Sequence, residues 1–160
     1  MNSTSALSTR RNLLAKKLTA ILRMRHHLDF SLHRLVFPLS SVDGLDDPAL
    51  ESVSALIDRF GKLQDMLGNV FREILLLSGE DVTDMNDFLS RLEKLAVLDS
   101  ADDWRALRAL RNLGAHDYDE DDQRKTDFIN ELAAQSAMLL KAVERVLAYC
   151  SGKLGLRPAA

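Results

Sequence analysis

The stretch DPALESVSALIDRFGKLQDMLGNVFREILLLSG, residues 47 to 79, decides the fold, because it carries an unbroken helical pattern. Asp47 can cap the first free amides of a helix, and Pro48 suits its first turn. The pattern continues toward Gly79, which is typical of a helix end. The apolar residues recur at steps of three and four, as in an amphipathic helix, at Val53, Leu56, Phe60, Leu63, Leu67, Phe71 and Ile74.

Four further helices are predicted on either side of this one. The first covers about residues 8–36 and stops before Pro38. A shorter helix covers about 84–98, and the last covers about 124–150. Between these two, Ser100 and Asp103 match a capping box and begin the fourth helix. The positions that define the four stripes are Leu14, Leu18, Ile21, Leu28, Leu32 and Leu35; Phe88, Leu92 and Leu95; Trp104, Leu107 and Leu110; and Phe128, Leu132, Leu139, Val143, Val146 and Cys150.

No segment alternates apolar and polar residues with a period of two, and there is no internal repeat or interdomain linker. Short connections between long helices favour antiparallel neighbours. The sequence therefore predicts an all-α fold, an up-and-down bundle of four long helices plus one short helix. We expect one domain over 1–160, with frayed termini at about 1–6 and 153–160.

Composition narrows the class of protein. The chain has 160 residues, 46% of them apolar and 28% charged, which is typical of a soluble domain with one core. No apolar run approaches the roughly 18 to 20 residues that cross a bilayer, and basic residues interrupt the N-terminal segment, so a cytoplasmic protein is expected. The single cysteine, Cys150, excludes an internal disulfide and is predicted to be a buried, inert thiol.

The net charge of −3 argues against strong non-specific binding of nucleic acid, but the charge is unevenly distributed. Residues 1–36 carry seven Lys or Arg against one acid, residues 37–103 five against fifteen, and residues 104–160 nine against eight. Such asymmetry is compatible with an anionic ligand on one face or with charge-matched association of partners. Solvated helix faces are the alternative explanation.

Within the second helix, Gly61, Asp65 and Gly68 fall on one side at spacings of four and three. Each glycine costs about 1 kcal/mol of helix propensity relative to alanine, so a compensating contact is expected. Close approach of another helix is the simplest contact. Asp65 would then face that neighbour, where its carboxylate could orient an arginine.

The stretch RNLGAHDYDEDD, residues 111 to 122, ends the fourth helix and carries the candidate chemistry. In a regular helix Arg111 and Tyr118 lie about 20° apart, whereas Arg111 and His116 diverge by about 140°. For the arginine and the histidine to act on one phosphate, the helix must loosen near Gly114 or a second subunit must complete the site.

Arginine and histidine suit phosphate esters. Arginine holds a phosphodiester with a fixed, two-pronged donor, and histidine moves a proton near neutral pH without a metal. Attack by a ribose 2′-hydroxyl needs a base and an acid on opposite sides of the phosphorus, which a two-fold dimer would supply. The alternative is that both residues only solvate a helix end.

No metal site is predicted from the spacing of possible ligands. His26 and His27 splay about 100° apart on a helix, and His33 lies about 120° from His27. These three residues are interpreted as part of the basic face of the first helix, and no cofactor is expected.

The segment RNLGAHDY resembles the R-x4-H-x-Y motif of HEPN-domain toxins of the HepT type. The resemblance extends to RFGKLQDMLG and FLSRLEKLAVLDSADDWRALRALRN and covers about residues 50–130. It implies a helical bundle that dimerises along the motif-bearing helices and a metal-independent RNase. It also implies neutralisation by a nucleotidyltransferase antitoxin encoded nearby.

The resemblance also implies roles for single residues. Arg111 would bind the scissile phosphate, His116 would be the acid or base, and Asn112 would position the pair. Tyr118 would be the tyrosine that the partner modifies with AMP, which adds bulk and negative charge where RNA binds. Arg108, with Arg105, would offset the acids that follow the motif. Two alternatives stay open: a non-catalytic HEPN module that holds a nucleotidyltransferase or its substrate, and a helical adaptor that resembles the family by chance.

Overall fold

The computed structural model describes residues 2–80, 84–116 and 121–160, with the backbone alone for 114–116. These residues form five helices, and none of the described residues belongs to a β-strand, so the prediction of an all-α fold is confirmed. The helices are α1 (Ser3–Leu32), α2 (Asp47–Leu77), α3 (Met85–Lys94), α4 (Ala101–His116) and α5 (Asp122–Leu154). None of them combines, in its described residues, the length and apolar character of a membrane span.

Contacts at both ends show that α1 and α2 are antiparallel. Near the start of α2, Arg59 donates hydrogen bonds to the His27 carbonyl at 3.0 Å and to Ser31 Oγ at 2.6 Å, both near the end of α1. Near the end of α2, Glu73 pairs with Arg10 and Lys17 in the first half of α1. The two helices therefore lie side by side over most of their length.

Helix α5 completes the centre of the bundle by packing on both α1 and α2. Its Glu144 accepts a hydrogen bond from Arg25 at 2.6 Å, and the Leu154 carbonyl accepts one from Arg11 at 2.8 Å. Because the later residue of α5 meets the earlier residue of α1, these two helices are antiparallel. The resulting core is formed by side chains that are fully buried, among them Leu14, Leu18, Ile21, Leu56, Phe60, Leu67, Phe71, Leu139, Val143 and Val146.

Helix α4 lies across the side of the bundle, against α2 and α5, and α3 packs on α4. Every third residue of α4 from Ala101 to Leu110 is buried, so one face of the helix is held by the core. The Trp104 ring meets the Phe71 ring edge to face, with centroids 4.9 Å apart and planes at 70°. Such an aromatic pair contributes about 0.5–1.5 kcal/mol beyond its buried area and fixes the height of α4 along α2.

The cap of α2 differs from the prediction by one residue. Asp46, not Asp47, is the N-cap, and its side chain accepts a hydrogen bond from the Ala49 amide at 3.0 Å. Asp47 is the first helical residue, where its negative charge suits the helix dipole. In α4 the predicted cap is correct, since Ser100 Oγ accepts a hydrogen bond from the Asp103 amide at 3.2 Å.

Three other helix ends differ from the sequence pattern, two of them for reasons of backbone geometry. Helix α1 ends at Leu32 rather than near residue 36, with His33 as its C-cap, well before the restriction that Pro38 places on Phe37. Helix α3 ends at Lys94 rather than near 98, since Ala96 has a left-handed φ of 59°. Helix α5 continues to Leu154, where Gly155 takes the left-handed cap that only glycine adopts without strain.

The C-terminal segment is attached to α1, although the sequence predicts fraying over 153–160. The Ala159 amide donates a hydrogen bond to the Ala15 carbonyl at 3.0 Å, and Thr19 Oγ1 donates one to the Ala159 carbonyl at 2.7 Å. Residues 155–160 therefore run along α1, and we refer to them as the C-terminal strap.

Candidate functional site

Arg111 and Asn112 lie near the C-terminal end of α4, on the side that faces α2. Because Trp104, Leu107 and Leu110 point into the core, the residues next to them on the helix are turned toward the edge of the α2–α4 interface. Asn112 is exposed, and Arg111 is partly covered by α2. The backbone of His116 ends α4, whereas its side chain and the whole of Tyr118 lie outside the described residues.

Arg111 is held against α2 by a glycine and an acid one turn apart. A Cβ atom on Gly61 would lie 2.9 Å from Arg111 Nε, so the arginine occupies the space that a side chain would need. One turn further along α2, Asp65 Oδ2 accepts a hydrogen bond from Arg111 Nη2 at 2.7 Å. Glycine and carboxylate thus hold the arginine together. The sequence predicts a close helix contact at Gly61 and an arginine oriented by Asp65, but not that the Arg111 side chain itself fills the space at Gly61.

The ion pair of Arg111 and Asp65 fixes an orientation more than it stabilises the fold. The Arg111 side chain is 42% exposed and that of Asp65 is 56% exposed. Pairs this accessible to water contribute about 0–1 kcal/mol. The pair uses one terminal nitrogen of the guanidinium, and the group has five N–H donors in all, so others can bind an anion.

A cleft of about 500 Å³ opens beside this ion pair. Its walls come from the middle of α2, the start of α3 and the solvent side of α4. Arginines and amides surround an apolar wall, and the lining residues are Gln64, Asp65, Gly68, Asn69, Arg72, Asp84, Met85, Phe88, Trp104, Arg108, Arg111 and Asn112. Mixed apolar and polar walls of this volume are typical of sites for small organic ligands. We refer to it as the arginine cleft.

Three arginines and two aspartates give the arginine cleft its electrostatic character. Asp84 caps α3 by accepting a hydrogen bond from the Asn86 amide at 2.8 Å, and Asp65 pairs with Arg111. Over the described ranges 2–80, 84–116 and 121–160, Arg72 and Arg108 have no carboxylate partner. Two guanidinium groups are thus available to an anion, which is the strongest local attraction for phosphate in the cleft.

Gln64 is the buried polar group of the cleft. The residue is 3% exposed and occupies a position on the apolar stripe of α2, one turn after Phe60. Its Nε2 has no hydrogen-bond partner in the described part of the chain. Gln64 was not among the residues predicted from the sequence, although an amide within an apolar helical stripe is a signal that could have identified it.

Gly68 does not make the close helix contact that its spacing predicts. No atom lies within 4 Å of the position where its Cβ would be, in contrast to Gly61. Gly68 borders the arginine cleft instead, so the backbone of α2 is bare at this point. Arg108, predicted as a supporting residue, also borders the cleft, whereas Arg105 pairs with Asp102 and Asn86 outside it.

A second, smaller cleft of about 200 Å³, which Trp104 also lines, lies between α4, α5 and the segment before α4. Here the cations are neutralised, because Asp99 pairs with both Lys141 and Arg145. Burial acts to raise the pKa of Asp99, but hydrogen bonds and charges from Lys141 and Arg145 lower it below its ordinary value. We refer to this as the paired cleft.

The remaining predicted chemistry concerns metals and the cysteine. Among the described residues, no group of three or more histidines, cysteines and acids is arranged to hold a metal ion. His26 and His27 contact each other edge to face on α1, and His33 Nδ1 lies 2.8 Å from the Asp29 carbonyl oxygen. Cys150 is buried, and burial raises the pKa of its thiol to about 11, so the thiol is unreactive at neutral pH.

Comparison with known proteins adds no relative: no family model, no curated protein and no solved structure matches this chain. A functional assignment therefore depends on the motif and on the geometry of the arginine cleft.

Proposed function

We propose that this chain is a cytoplasmic, metal-independent endoribonuclease of the HEPN type, with its active site at the arginine cleft. The observation that carries the proposal is that Arg111 of the R-x4-H-x-Y motif is fixed by Gly61 and Asp65 at a cleft with two further arginines. Those two arginines, Arg72 and Arg108, have no carboxylate partner among the described residues. Such a cluster suits a phosphodiester better than it suits a neutral ligand.

In the proposed reaction, Arg111 binds the non-bridging oxygens of the scissile phosphate. One His116 removes the proton from the ribose 2′-hydroxyl, whose oxygen forms a new bond to phosphorus. The bond from phosphorus to the 5′-oxygen breaks, and a protonated His116 donates a proton to that oxygen. The products are a 2′,3′-cyclic phosphate and a 5′-hydroxyl, and Asn112 positions Arg111 and His116.

Two histidines on opposite sides of the phosphorus require two copies of the chain. Leu113 supports a homodimer along α4. It is an apolar residue, 57% exposed, near the end of that helix and two residues after Arg111 of the motif. Met85, at the mouth of the cleft, is also exposed. Apolar side chains beside a site of this kind suit coverage by a second subunit.

The resemblance to HepT-type toxins extends the proposal to regulation. We assign the chain as the toxin of a pair whose antitoxin is a nucleotidyltransferase, and Tyr118 as the residue that receives AMP. An AMP group near Arg111 would compete with RNA by charge and by volume. Tyr118→Phe keeps the ring and removes the nucleophile, so this variant should cleave RNA and resist neutralisation. Mass spectrometry of the co-expressed pair should locate the added AMP on the peptide with Tyr118.

A non-catalytic HEPN module is the second candidate. The pairing of Arg111 with Asp65 favours it, because an arginine held by an acid also serves a purely structural purpose. The module would bind a nucleotidyltransferase or its substrate through the same cleft without cleaving RNA.

Cleavage assays with the purified chain separate the two candidates. End-labelled RNA, incubated with EDTA, should yield fragments that end in 2′,3′-cyclic phosphates, and His116→Ala should abolish them. His33→Ala is the matched control, since His33 is an exposed histidine at the end of α1 and does not line the cleft. A mixed dimer of His116→Ala and Arg111→Ala chains tests whether two copies share one site. Cleavage that needs a divalent ion, or that survives in His116→Ala, would contradict the proposal.

A further inference from the structure

Gln64 lines the arginine cleft, and its side chain carries a buried donor without an acceptor among the described residues. Its Nε2 has no partner in the described part of the chain, and the residue is 3% exposed. An unsatisfied buried donor costs about 1–3 kcal/mol, and an apolar residue of similar size would avoid that cost. A ligand that brings an acceptor into the cleft would compensate for it.

Gly68 leaves the backbone of α2 bare beside the arginine cleft. It follows Gln64 by one turn of α2, and no atom lies within 4 Å of its missing Cβ. A glycine inside a helix costs about 1 kcal/mol relative to alanine, and here no helix packs into the gap. Bare backbone beside a cleft allows a ligand to approach more closely than any side chain would permit.

The remaining walls supply the two other parts of a nucleotide site. Met85, Phe88 and Trp104 give an apolar surface on the side of α3 and α4. Arg72 and Arg108 supply guanidinium groups without carboxylate partners among the described residues. A nucleotide could contact both features, because its planar base can pack on the apolar surface and its phosphate can bind the arginines.

We infer that the arginine cleft binds one nucleotide whose base carries a ring carbonyl, namely uracil or guanine. Gln64 Nε2 donates to uracil O4 or guanine O6, where cytosine and adenine carry an amino group that would oppose the donor. The base plane lies over Gly68, and the phosphate meets the arginines. This inference deepens the proposed function, on which it rests for the identification of RNA as the source of the nucleotide.

Trp104 gives a direct measure of binding that does not depend on cleavage. It is the single tryptophan of the chain and lines the cleft, so its fluorescence should change when a nucleotide binds. Titrations with UMP, CMP, GMP and AMP should show that UMP binds at least about tenfold more tightly than CMP, and GMP more tightly than AMP. Equal affinities for the paired nucleotides would overturn the inference.

Two substitutions test the assigned contacts. Gln64→Met keeps the size of the side chain and removes the donor, so the preference for UMP over CMP should fall to about one while the melting temperature rises. Gly68→Ala should also raise the melting temperature but weaken UMP binding. The controls are Gln135→Met and Gly152→Ala on α5, both away from the cleft. A preference that survives in Gln64→Met, or undiminished UMP binding in Gly68→Ala, would contradict the inference.

The source of the nucleotide is tested with His116→Ala protein, which should bind RNA without cutting it. Tighter binding of tetrauridylate than of UMP identifies an RNA strand, and the reverse order identifies a free nucleotide. The two proposals fail separately. A base preference without RNA cleavage would contradict the proposed nuclease but not the nucleotide site. RNA cleavage by a protein that binds UMP and CMP equally well would contradict the nucleotide site alone.

Discussion

Trp104 lines both the arginine cleft and the paired cleft, but the two clefts differ in whether their cations have acid partners. In the paired cleft, Asp99 neutralises Lys141 and Arg145, so the charges hold α5 to the segment before α4. In the arginine cleft, Asp65 engages only Arg111, and Arg72 and Arg108 have no acid partner in the described part of the chain. The difference teaches that cation content alone does not identify a site. What matters is how many guanidinium donors stay free of local acids, as those of Arg72 and Arg108 do over the described residues and as part of Arg111 does.

Removing one arginine from each cleft should have the most unequal result. Arg111→Ala should lower RNA cleavage by about 10²–10³-fold, because it removes charge stabilisation at the phosphate. Arg145→Ala should leave the cleavage rate of the folded protein unchanged, since Arg145 pairs with Asp99 away from the proposed site. Initial rates, with circular dichroism as the check of folding, measure both variants. Equal losses of activity would mean that the two clefts are not functionally distinct.

Gly61→Ala tests the position of Arg111 without removing its charge. The new methyl group would lie 2.9 Å from Arg111 Nε, so the arginine must shift. A displacement of this kind should lower cleavage on the order of ten- to a hundredfold. Gly152→Ala serves as the control, because no atom lies within 4 Å of its Cβ position. Full activity in Gly61→Ala would show that cleavage does not depend on the position at which Gly61 holds the Arg111 side chain.

Salt dependence should separate the unpaired cations from the paired ones. Arg72→Ala and Arg108→Ala should each weaken RNA binding and reduce the slope of log affinity against log salt by about one, if each arginine contacts one phosphate. Lys141→Ala should leave the slope unchanged, since Lys141 is engaged by Asp99. Binding titrations with His116→Ala protein at several salt concentrations give the slopes. A slope that falls as much for Lys141→Ala would contradict the comparison.

The smallest expected effect is on acid stability at the paired cleft. Because the folded-state pKa of Asp99 lies below 3.8, its ionised form stabilises the fold above about pH 4. That contribution is lost as the pH falls through the folded-state pKa. Asp99→Asn should therefore melt at a lower temperature than the parent chain near neutral pH, and the difference should shrink on acidification. Asp58→Asn, in a surface pair with Lys62, controls for the change in net charge. A difference that is constant with pH would contradict this prediction.

Local signals were sufficient for the helices and for part of the contact around Arg111. Helical spacing identifies all five helices, and Gly61 and Asp65 predict a close helix contact and an arginine beside the acid. That Arg111 is this arginine, and that its side chain fills the space at Gly61, was not predicted. The cap at Asp46 was missed by one residue, since two adjacent aspartates satisfy the same capping rule.

Long-range packing explains what could not be predicted. Met85 and Phe88 form a wall of the arginine cleft because α3 packs on α4, and no periodic pattern specifies that contact. The C-terminal strap bonds to Ala15 and Thr19, about 140 residues away in the chain, so its attachment has no local signature. The open space at the Cβ position of Gly68 also depends on where the neighbouring helix lies, which the spacing of residues in the sequence does not specify.

The position of α5 against both α1 and α2 sets an order of events during synthesis. A nascent chain emerges N-terminal end first, so α1 and α2 can pair before α5 has left the ribosome. Their inner faces then expose Leu14, Leu18 and Phe60 until Leu139 and Val143 arrive to cover them. A chain that terminates before α5 would therefore leave a paired hairpin with an apolar strip along its length, the kind of surface on which chaperones and proteases act.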